Sequence, residues 1–470
     1  MWKRLGVKLK SVAIPPPIRG PFRRAIGLAW QAGSGSLGCS RLPALMHATR
    51  HENEPRPEVI YLDNNATTRI APEVFEVMVP FLTEYYGNPS SAYSFGKLVE
   101  GHLKEAREKV AALLGCTPKE IIFTSCGTES DNMAIWSALQ TSGKRHVVTT
   151  QVEHSAIMNQ TEQLERMGFG VTRLPVQSDG TLSISDVENA IRDDTGVVSI
   201  MWANNETGVL FPVEEIASIC KSKGVLFHTD AVQTPGKIDL SHVAKSDIDL
   251  LSLSGHKLHA PKGVGVLYAK KRTKLVPYVI GGGQERGKRG GTENVASIIG
   301  LGRAAELALE KLSDEQTRVR AMRDLFEETL LQRLPYLYIN GKREQRLPNT
   351  SNIAFDFVEA EAILVRLDRK GICVSSGSAC TTGSLDPSHV LSAMGLTPAR
   401  ARSCVRFSFS HYNRDTDVDY ALEIIPPMIE ELRAMSPLGP EHTDNFNYDV
   451  EASREKEEKL MAQTMAAINE

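Results

Sequence analysis

Ile121-Ile122-Phe123-Thr124-Ser125-Cys126-Gly127-Thr128-Glu129-Ser130 opens as an apolar run, passes through a turn of small and hydroxyl residues, and leads into a helix-length pattern from Asp131. The apolar run reads as a buried strand. It recurs as His146-Val147-Val148, Val197-Val198-Ser199-Ile200-Met201, Leu226-Phe227-His228 and Leu250-Leu251-Ser252-Leu253. Between these runs, segments 97–114, 157–167 and 213–223 carry apolar residues at helical spacing. Strands alternating with helices predict an α/β fold with a mostly parallel sheet covered on both faces. In such sheets ligands bind at the carboxyl ends of the strands, so the residues just after each run are the ones to inspect. A long helical pattern over 293–333 bridges to a second, smaller α/β unit ending near Ser436.

Composition agrees with a folded chain. The 470 residues are 41% hydrophobic and 24% charged, which excludes a wholly disordered, collagenous or coiled-coil protein. Length alone suggests two to four domains at roughly 100–200 residues each. No apolar run approaches the roughly 18–20 residues that a membrane-spanning helix needs, and no membrane partner is expected. A net charge of −3 gives no reason to expect nucleic acid as the main partner. The seven cysteines are too sparse for a disulfide scaffold and read as free thiols in a reducing compartment. No His/Cys cluster has zinc spacing.

The charge is unevenly spread. Residues 1–51 contain no Asp or Glu but carry Lys3, Arg4, Lys8, Lys10, Arg19, Arg23, Arg24, Arg41 and Arg50. A basic, acid-free segment without a long apolar stretch resembles an organellar targeting peptide. A disordered tail, or a true start at Met46, are the alternatives, and Pro15-Pro16-Pro17 breaks any long amphipathic helix. After Pro440 the chain turns acidic. The expected organisation is a basic extension over 1–56, a large cofactor domain with an N-terminal arm over 57–320, a small domain over 321–436 and an acidic tail over 437–470.

Three strand ends carry chemistry. Gly127 and Thr128 lie at a strand-to-helix turn, where backbone N–H groups and the helix N-terminus suit a phosphate. An ordinary N-cap accounts for the same residues. Asp230 closes the run Leu226-Phe227-His228. It either caps the next helix or holds a positive charge on a heterocycle, as a pyridinium nitrogen requires. Lys257 comes after Leu250-Leu251-Ser252-Leu253 through Ser254-Gly255-His256. Most lysines lie on solvated faces, whereas a desolvated one at a strand end is a candidate Schiff-base amine. Phosphate turn, ring acid and aldehyde lysine together describe a pyridoxal 5'-phosphate site. His154 lies at another strand end, where it can cover the ring face. Asn204-Asn205 comes after the 197–203 run, within reach of a substrate carboxylate or the ring hydroxyl.

The motifs Tyr61 to Thr68, Gly87-Asn88-Pro89-Ser90-Ser91, Trp202 to Gly208, Ser254 to Lys257 and Ser375 to Cys380 resemble those of cysteine desulfurases, in the class V aminotransferase group. The resemblance runs from Ile60 to Met435. Cys126-Gly127-Thr128, Trp202-Ala203 and Gly291-Thr292-Glu293-Asn294 are most similar to the nitrogen-fixation (NifS-like) branch. The resemblance implies the type I pyridoxal-phosphate transferase fold, with a large mostly parallel-sheet domain and a smaller α/β domain. It implies that Lys257 bonds the cofactor aldehyde, that Asp230 faces the ring nitrogen and that Gln233 faces the ring hydroxyl. Gly127, Thr128, Ser254 and His256 would hold the phosphate, completed by Thr292 of a second copy, so a homodimer is implied. Asn205 and Arg406 would fix the substrate carboxylate, for which a planar guanidinium is well shaped.

The same resemblance assigns the sulfur chemistry to Cys380, in the Ser/Thr/Gly-rich stretch Ser375–Ser384. A lone cysteine is more often a small buried hydrophobe, but a thiol on such a loop can travel between cofactor and acceptor. Cys116, Cys126, Cys220, Cys373 and Cys404 read as structural. The implied reaction converts L-cysteine to L-alanine and a Cys380 persulfide, with His154 carrying protons, and supplies sulfur to an iron–sulfur scaffold or another acceptor protein. The resemblance further implies a transient iron–sulfur cluster held through Cys380. A selenocysteine lyase, or a catalytically silent scaffold of the same fold, are the alternatives. The basic head points to the mitochondrial matrix or a related organelle, with the cytoplasm as the alternative.

Overall fold

The apolar runs become the strands Ile121–Thr124, His146–Thr150, Thr195–Ser199, Leu226–Asp230 and Leu250–Ser254. In the computed structural model, which describes residues 59–376 and 387–439, they belong to one seven-stranded sheet. Gly170–Leu174 and Gly265–Ala269 complete it. Across the sheet the order is Ile121–Thr124, Gly265–Ala269, Leu250–Ser254, Leu226–Asp230, Thr195–Ser199, His146–Thr150, Gly170–Leu174. Only Gly265–Ala269 runs against the others, pairing antiparallel with both of its neighbours. The carboxyl ends of the parallel strands therefore converge on one rim.

Two details depart from the sequence reading. Gly170–Leu174, at one edge of the sheet, has no continuous apolar run because only Leu174 is buried and its other four residues are partly exposed. The strand expected over Val197–Met201 ends at Ser199. Beyond it the chain still tracks its neighbour, with Ile200 N–H donating to His228 O and Trp202 N–H to Asp230 O.

Helix Gly127–Ser142 buries Met133, Ile135, Ala138 and Leu139 against the sheet. It is enclosed on most sides, which also buries Ser130, Asp131 and Ser137. On the other side, Ser94–Leu113 packs against Val295–Asp314. Each aliphatic or aromatic side chain buried in these layers contributes roughly 1.5–3 kcal/mol. The long helical pattern read over 293–333 is two helices, Val295–Asp314 and Arg320–Arg333, joined by a wider turn at Glu315–Val319. Glu315 is buried in that turn and accepts hydrogen bonds from the His411 backbone and ring.

A four-stranded antiparallel sheet comes next, in the order Ser375–Ser376, Cys404–Ser408, Thr350–Phe355, Leu337–Ile339. Its separate apolar core includes Phe326, Phe355, Phe407 and Phe409. The ring pairs Phe326–Phe407 and Phe326–Phe409 lie 4.8 and 5.6 Å apart, and such pairs contribute about 0.5–1.5 kcal/mol beyond their burial. Ile60 and Leu62 join this second core, because Ile60–Tyr61 pairs in parallel with Ile372–Cys373. The chain then crosses to the large sheet through Asp63–Thr68. Asn65 Nδ2 donates to Thr350 Oγ1 at 2.9 Å and to Asn205 O at 3.2 Å. Among the described residues, no helix is long and apolar enough to cross a membrane.

Candidate active site

A cavity of about 300 Å³ opens at the convergent strand ends. Gly127, Thr128, His154, Asn205, Asp230, Gln233, Ser254, His256, Lys257 and Arg406 all line it. These residues come from the ends of strands of the large sheet and from the middle of one strand of the small sheet. Asn65, Ala66, Cys126 and Asp131, which sequence reasoning did not place at the site, line it too.

Lys257 ends the single helical turn Gly255–Lys257 that comes after Leu250–Ser254. Its Nζ donates to the carbonyls of Asn65 at 2.5 Å and Ala66 at 2.8 Å. The crossing segment thus orients the amine into the cavity. Asp230 accepts from Val232 N–H at 2.9 Å. Burial pushes its carboxyl up, opposed by His154, the Val232 amide and Lys257. His228 lies two residues earlier, on the same face of the strand. Its ring bonds Ser199 and Ser252 hydroxyls at 2.8 and 2.9 Å, and burial lowers its pKa to about 3, so it is neutral.

His154 caps helix Ser155–Arg166, with Nδ1 accepting from Ala156 N–H at 3.1 Å. A ring nitrogen that accepts carries no proton, so the neutral ring holds its proton on Nε2. Burial lowers its pKa, and Lys257 and His389 add to the effect against the pull of Asp230. His256 is pushed down to about 4 by burial and by Lys257, Lys262 and His154. It bonds Thr67 Oγ1 at 3.1 Å.

Arg406 is buried between Asn352 and Ser375 on neighbouring strands. One Nη donates to Asp63 Oδ1 at 2.8 Å and the other to Asn205 O at 3.1 Å. Its Nε has no partner among the described residues. Thr292 does not line this cavity. It is exposed, just before helix Val295–Asp314. Cys380 lies outside the described residues, as do the basic head and the acidic tail. The strand Ser375–Ser376 precedes it beside Arg406.

The other described thiols carry no sign of activation. Burial pushes Cys116 and Cys220 up to about 12, and raises Cys404 and Cys373 as well. Cys126 caps helix Gly127–Ser142, its sulfur accepting from Glu129 N–H at 3.4 Å. Among the described residues, no group of three or more His, Cys, Asp or Glu is placed to hold a metal ion.

A model of the class-V aminotransferases matches residues 60–421. The chain belongs to the class-V aminotransferase family. It is 52% identical over 380 residues to a cysteine desulfurase of Nostoc sp., covering 81% of this chain and 95% of that one. It is 51% identical over 380 residues to the cysteine desulfurase NifS of Azotobacter vinelandii, covering 80% of this chain and 94% of that one. Among solved structures, a NifS-like protein superposes with a TM-score of 0.74 at 40% identity, over 80% of this chain and 99% of the other. A NifS-like protein from Rickettsia africae gives 0.72 at 32% identity, over 79% of this chain and 99% of its own. These relatives share the type I pyridoxal-phosphate fold and its cofactor.

The cavity fits that cofactor. Buried polar groups normally have partners, yet Gln233 Oε1 and Arg406 Nε, on two residues that line the cavity, are buried without one among the described residues. They leave an acceptor and a cationic donor available to a polar ring and a carboxylate. Gly127 completes the cradle. A Cβ there would meet Val232 Cγ2 at 2.8 Å and Ser254 Cβ at 3.3 Å, so only glycine lets the turn close on a phosphate.

Proposed function

We propose that this chain is a cysteine desulfurase that takes sulfur from L-cysteine and releases L-alanine. The observation that supports it best is the convergence of Lys257, Asp230, Gln233, Arg406 and the Gly127-Thr128 turn on one cavity. When bound, pyridoxal phosphate supplies an aldehyde that takes up an amine and a ring that accepts electrons, which makes a substrate α-proton and β-sulfur labile.

The protein's own groups do the rest. Gly127, Thr128, Ser254 and His256 hold the phosphate, Asp230 faces the ring nitrogen, and Gln233 donates to or accepts from the ring hydroxyl. Arg406 and Asn205 bind the substrate carboxylate and set its α-carbon within reach of Lys257. Lys257 Nζ takes the α-proton. Its neighbours Asn65 O and Ala66 O accept hydrogen bonds, so they steady the amine. His154 covers the ring and returns a proton from Nε2. Cys380 attacks the substrate sulfur as thiolate. The C–S bond breaks, a persulfide remains on Cys380, and the carbon skeleton leaves as alanine after gaining protons.

Thr292 belongs to the phosphate site of a second copy in this reading, which makes the active unit a homodimer. Sulfur passes from Cys380 to an acceptor protein, an iron–sulfur scaffold by analogy with NifS. The division into a large unit over 57–320 and a small unit over 321–436 accords with the separate apolar cores of the two sheets. For location, the acid-free stretch 1–51 supports an organellar address, whereas the relatives named above are bacterial. Imaging the full chain beside a chain begun at Met46 separates organelle from cytoplasm.

The test is the purified full-length protein with pyridoxal phosphate and L-cysteine. It should carry a visible cofactor absorbance and form alanine. Cys380→Ser should keep the absorbance and stop sulfide release. Alanine at the wild-type rate from Cys380→Ser would refute the role of that thiol, and absence of the absorbance in the wild type would refute the whole reading.

A further inference from the structure

The phosphate turn is braced from behind by a pair of charges that do not touch the cavity. Glu129 lies in the first turn of helix Gly127–Ser142. Its Oε2 accepts from the Ser125 hydroxyl at 2.5 Å and from Ser125 N–H at 2.9 Å. Arg289 donates to the same carboxylate through both arms of its fork, Nε to Oε1 at 2.9 Å and Nη2 to Oε2 at 3.0 Å. The Glu129 side chain is 9% exposed and that of Arg289 21%. Burial pushes the Glu129 carboxyl up, but the Arg289 guanidinium and the two Ser125 groups outweigh it and hold the pKa low.

Arg289 is itself held rigidly. It sits on a loop with two successive left-handed residues, Glu285 and Arg286, at φ of 47° and 60°. Such backbone strain persists only where the surroundings hold it. Here Glu285 takes a bidentate pair from Arg107 at 2.6 and 2.7 Å and a bond from Phe123 N–H at 3.1 Å. Arg286 donates to Ile121 O at 2.7 Å. One residue past Arg289, a Cβ on Gly290 would lie 2.6 Å from Gly281 Cα, so the loop closes tightly on itself. Glu285, Arg286 and Arg289 thus tie one strained loop to strand Ile121–Thr124 and to the turn that ends it.

Neither Glu129 nor Arg289 lines the cavity. A carboxylate in the first turn suits the helix N-terminus, but a phosphate bound nearby repels it unless a cation pairs it. Resting on the cofactor reading above, we propose that Arg289 and Glu129 are positioning residues for the phosphate turn Ser125–Thr128, and that they set how tightly the phosphate end of the cofactor is held. Their action is geometric: Arg289 orients Glu129, Glu129 fixes both polar groups of Ser125, and Ser125 leads directly into Gly127 and Thr128.

The experiment is a titration of the full-length chain, stripped of cofactor, with pyridoxal phosphate and separately with pyridoxal, which has no phosphate. Losing a charge-assisted hydrogen-bond partner corresponds to about ten- to one-hundredfold in affinity. Arg289→Lys and Glu129→Gln should each weaken pyridoxal phosphate binding by that range and leave pyridoxal binding unchanged. Glu129→Gln separates geometry from charge, since it removes a negative group from beside the phosphate. Binding of pyridoxal phosphate as tight as or tighter than wild type in Glu129→Gln would overturn the proposal. Equal losses for both probes would also overturn it, because they would indicate general loosening of the site. Should both variants fail to fold, Ser125→Ala removes the hydroxyl bond to Glu129 and a long 3.7 Å contact with Cys126 Sγ but keeps the Ser125 N–H bond, and the same selective loss, smaller in size, is expected. No selective loss there would be fatal. Failure of the wild type to bind pyridoxal phosphate would instead refute the cofactor reading.

Discussion

Two arginines on one short stretch of chain meet opposite fates. Arg400 lies against the outer part of the small sheet and gives both arms of its fork to Asp356, at 3.1 and 2.7 Å. Its pairing is complete. Arg406 lies in the strand that reaches the cavity, gives one nitrogen to Asp63 and one to a carbonyl, and keeps Nε buried without a partner among the described residues. The first arrangement stabilises the fold. The second leaves hydrogen-bonding capacity over, and that surplus is what a substrate can use. The same contrast holds between a strand interior, where His228 bonds at both ring nitrogens, and the cavity rim, where Gln233 keeps an oxygen with no partner among the described residues.

Substitutions should separate the two kinds of residue. The largest effect is expected for Lys257→Ala, which should abolish the cofactor's visible absorbance and lower alanine formation by at least about 10²-fold. An unchanged spectrum would remove Lys257 from its role. Arg406→Lys should come next, with KM for L-cysteine raised about tenfold or more through loss of the fork, and with cofactor binding retained. A changed cofactor affinity with unchanged KM would place Arg406 elsewhere in the reaction. Arg400→Ala should do the reverse. It strands the buried Asp356 carboxylate and should cost about 3 kcal/mol of stability in denaturant unfolding, while KM for the surviving folded enzyme stays as in wild type.

A further prediction concerns pH. Burial raises Glu153 from 4.5 to about 8. A carboxyl with a raised folded pKa contributes its full stability below 4.5, and loses it as pH climbs through about 8, because only the unfolded chain ionises in between. Thermal unfolding of Glu153→Gln should therefore fall less than wild type between those pH values. Parallel curves would show that Glu153 ionises normally in the fold.

Much of this architecture was legible in the residues. A strand buried on both faces must be a continuous apolar run, so Ile121–Phe123 and Leu250–Leu253 announce themselves, and the polar residues after them mark the rim. Lys257 and Asp230 were found in that way. The strand Gly170–Leu174 is not legible in this way, because four of its five residues are only partly buried, which removes the need for an apolar run. Asn65 was missed because its role depends on contacts with Lys257 and Thr350, far along the chain. Asp131 looked like an ordinary residue at the start of a helix, and only its burial beside Asp230 makes it unusual. The Glu129–Arg289 brace was likewise invisible, since each is a common surface residue until the loop at 284–291 folds back onto the turn.

The central claim is that sulfur leaves L-cysteine and lodges on Cys380. Intact-mass measurement of the pyridoxal-phosphate-loaded protein after incubation with L-cysteine, without an acceptor, tests it most directly. The wild type should gain one sulfur atom that a thiol reductant removes and that Cys380→Ser never acquires. No gain in the wild type, or the same gain in Cys380→Ser, would contradict it.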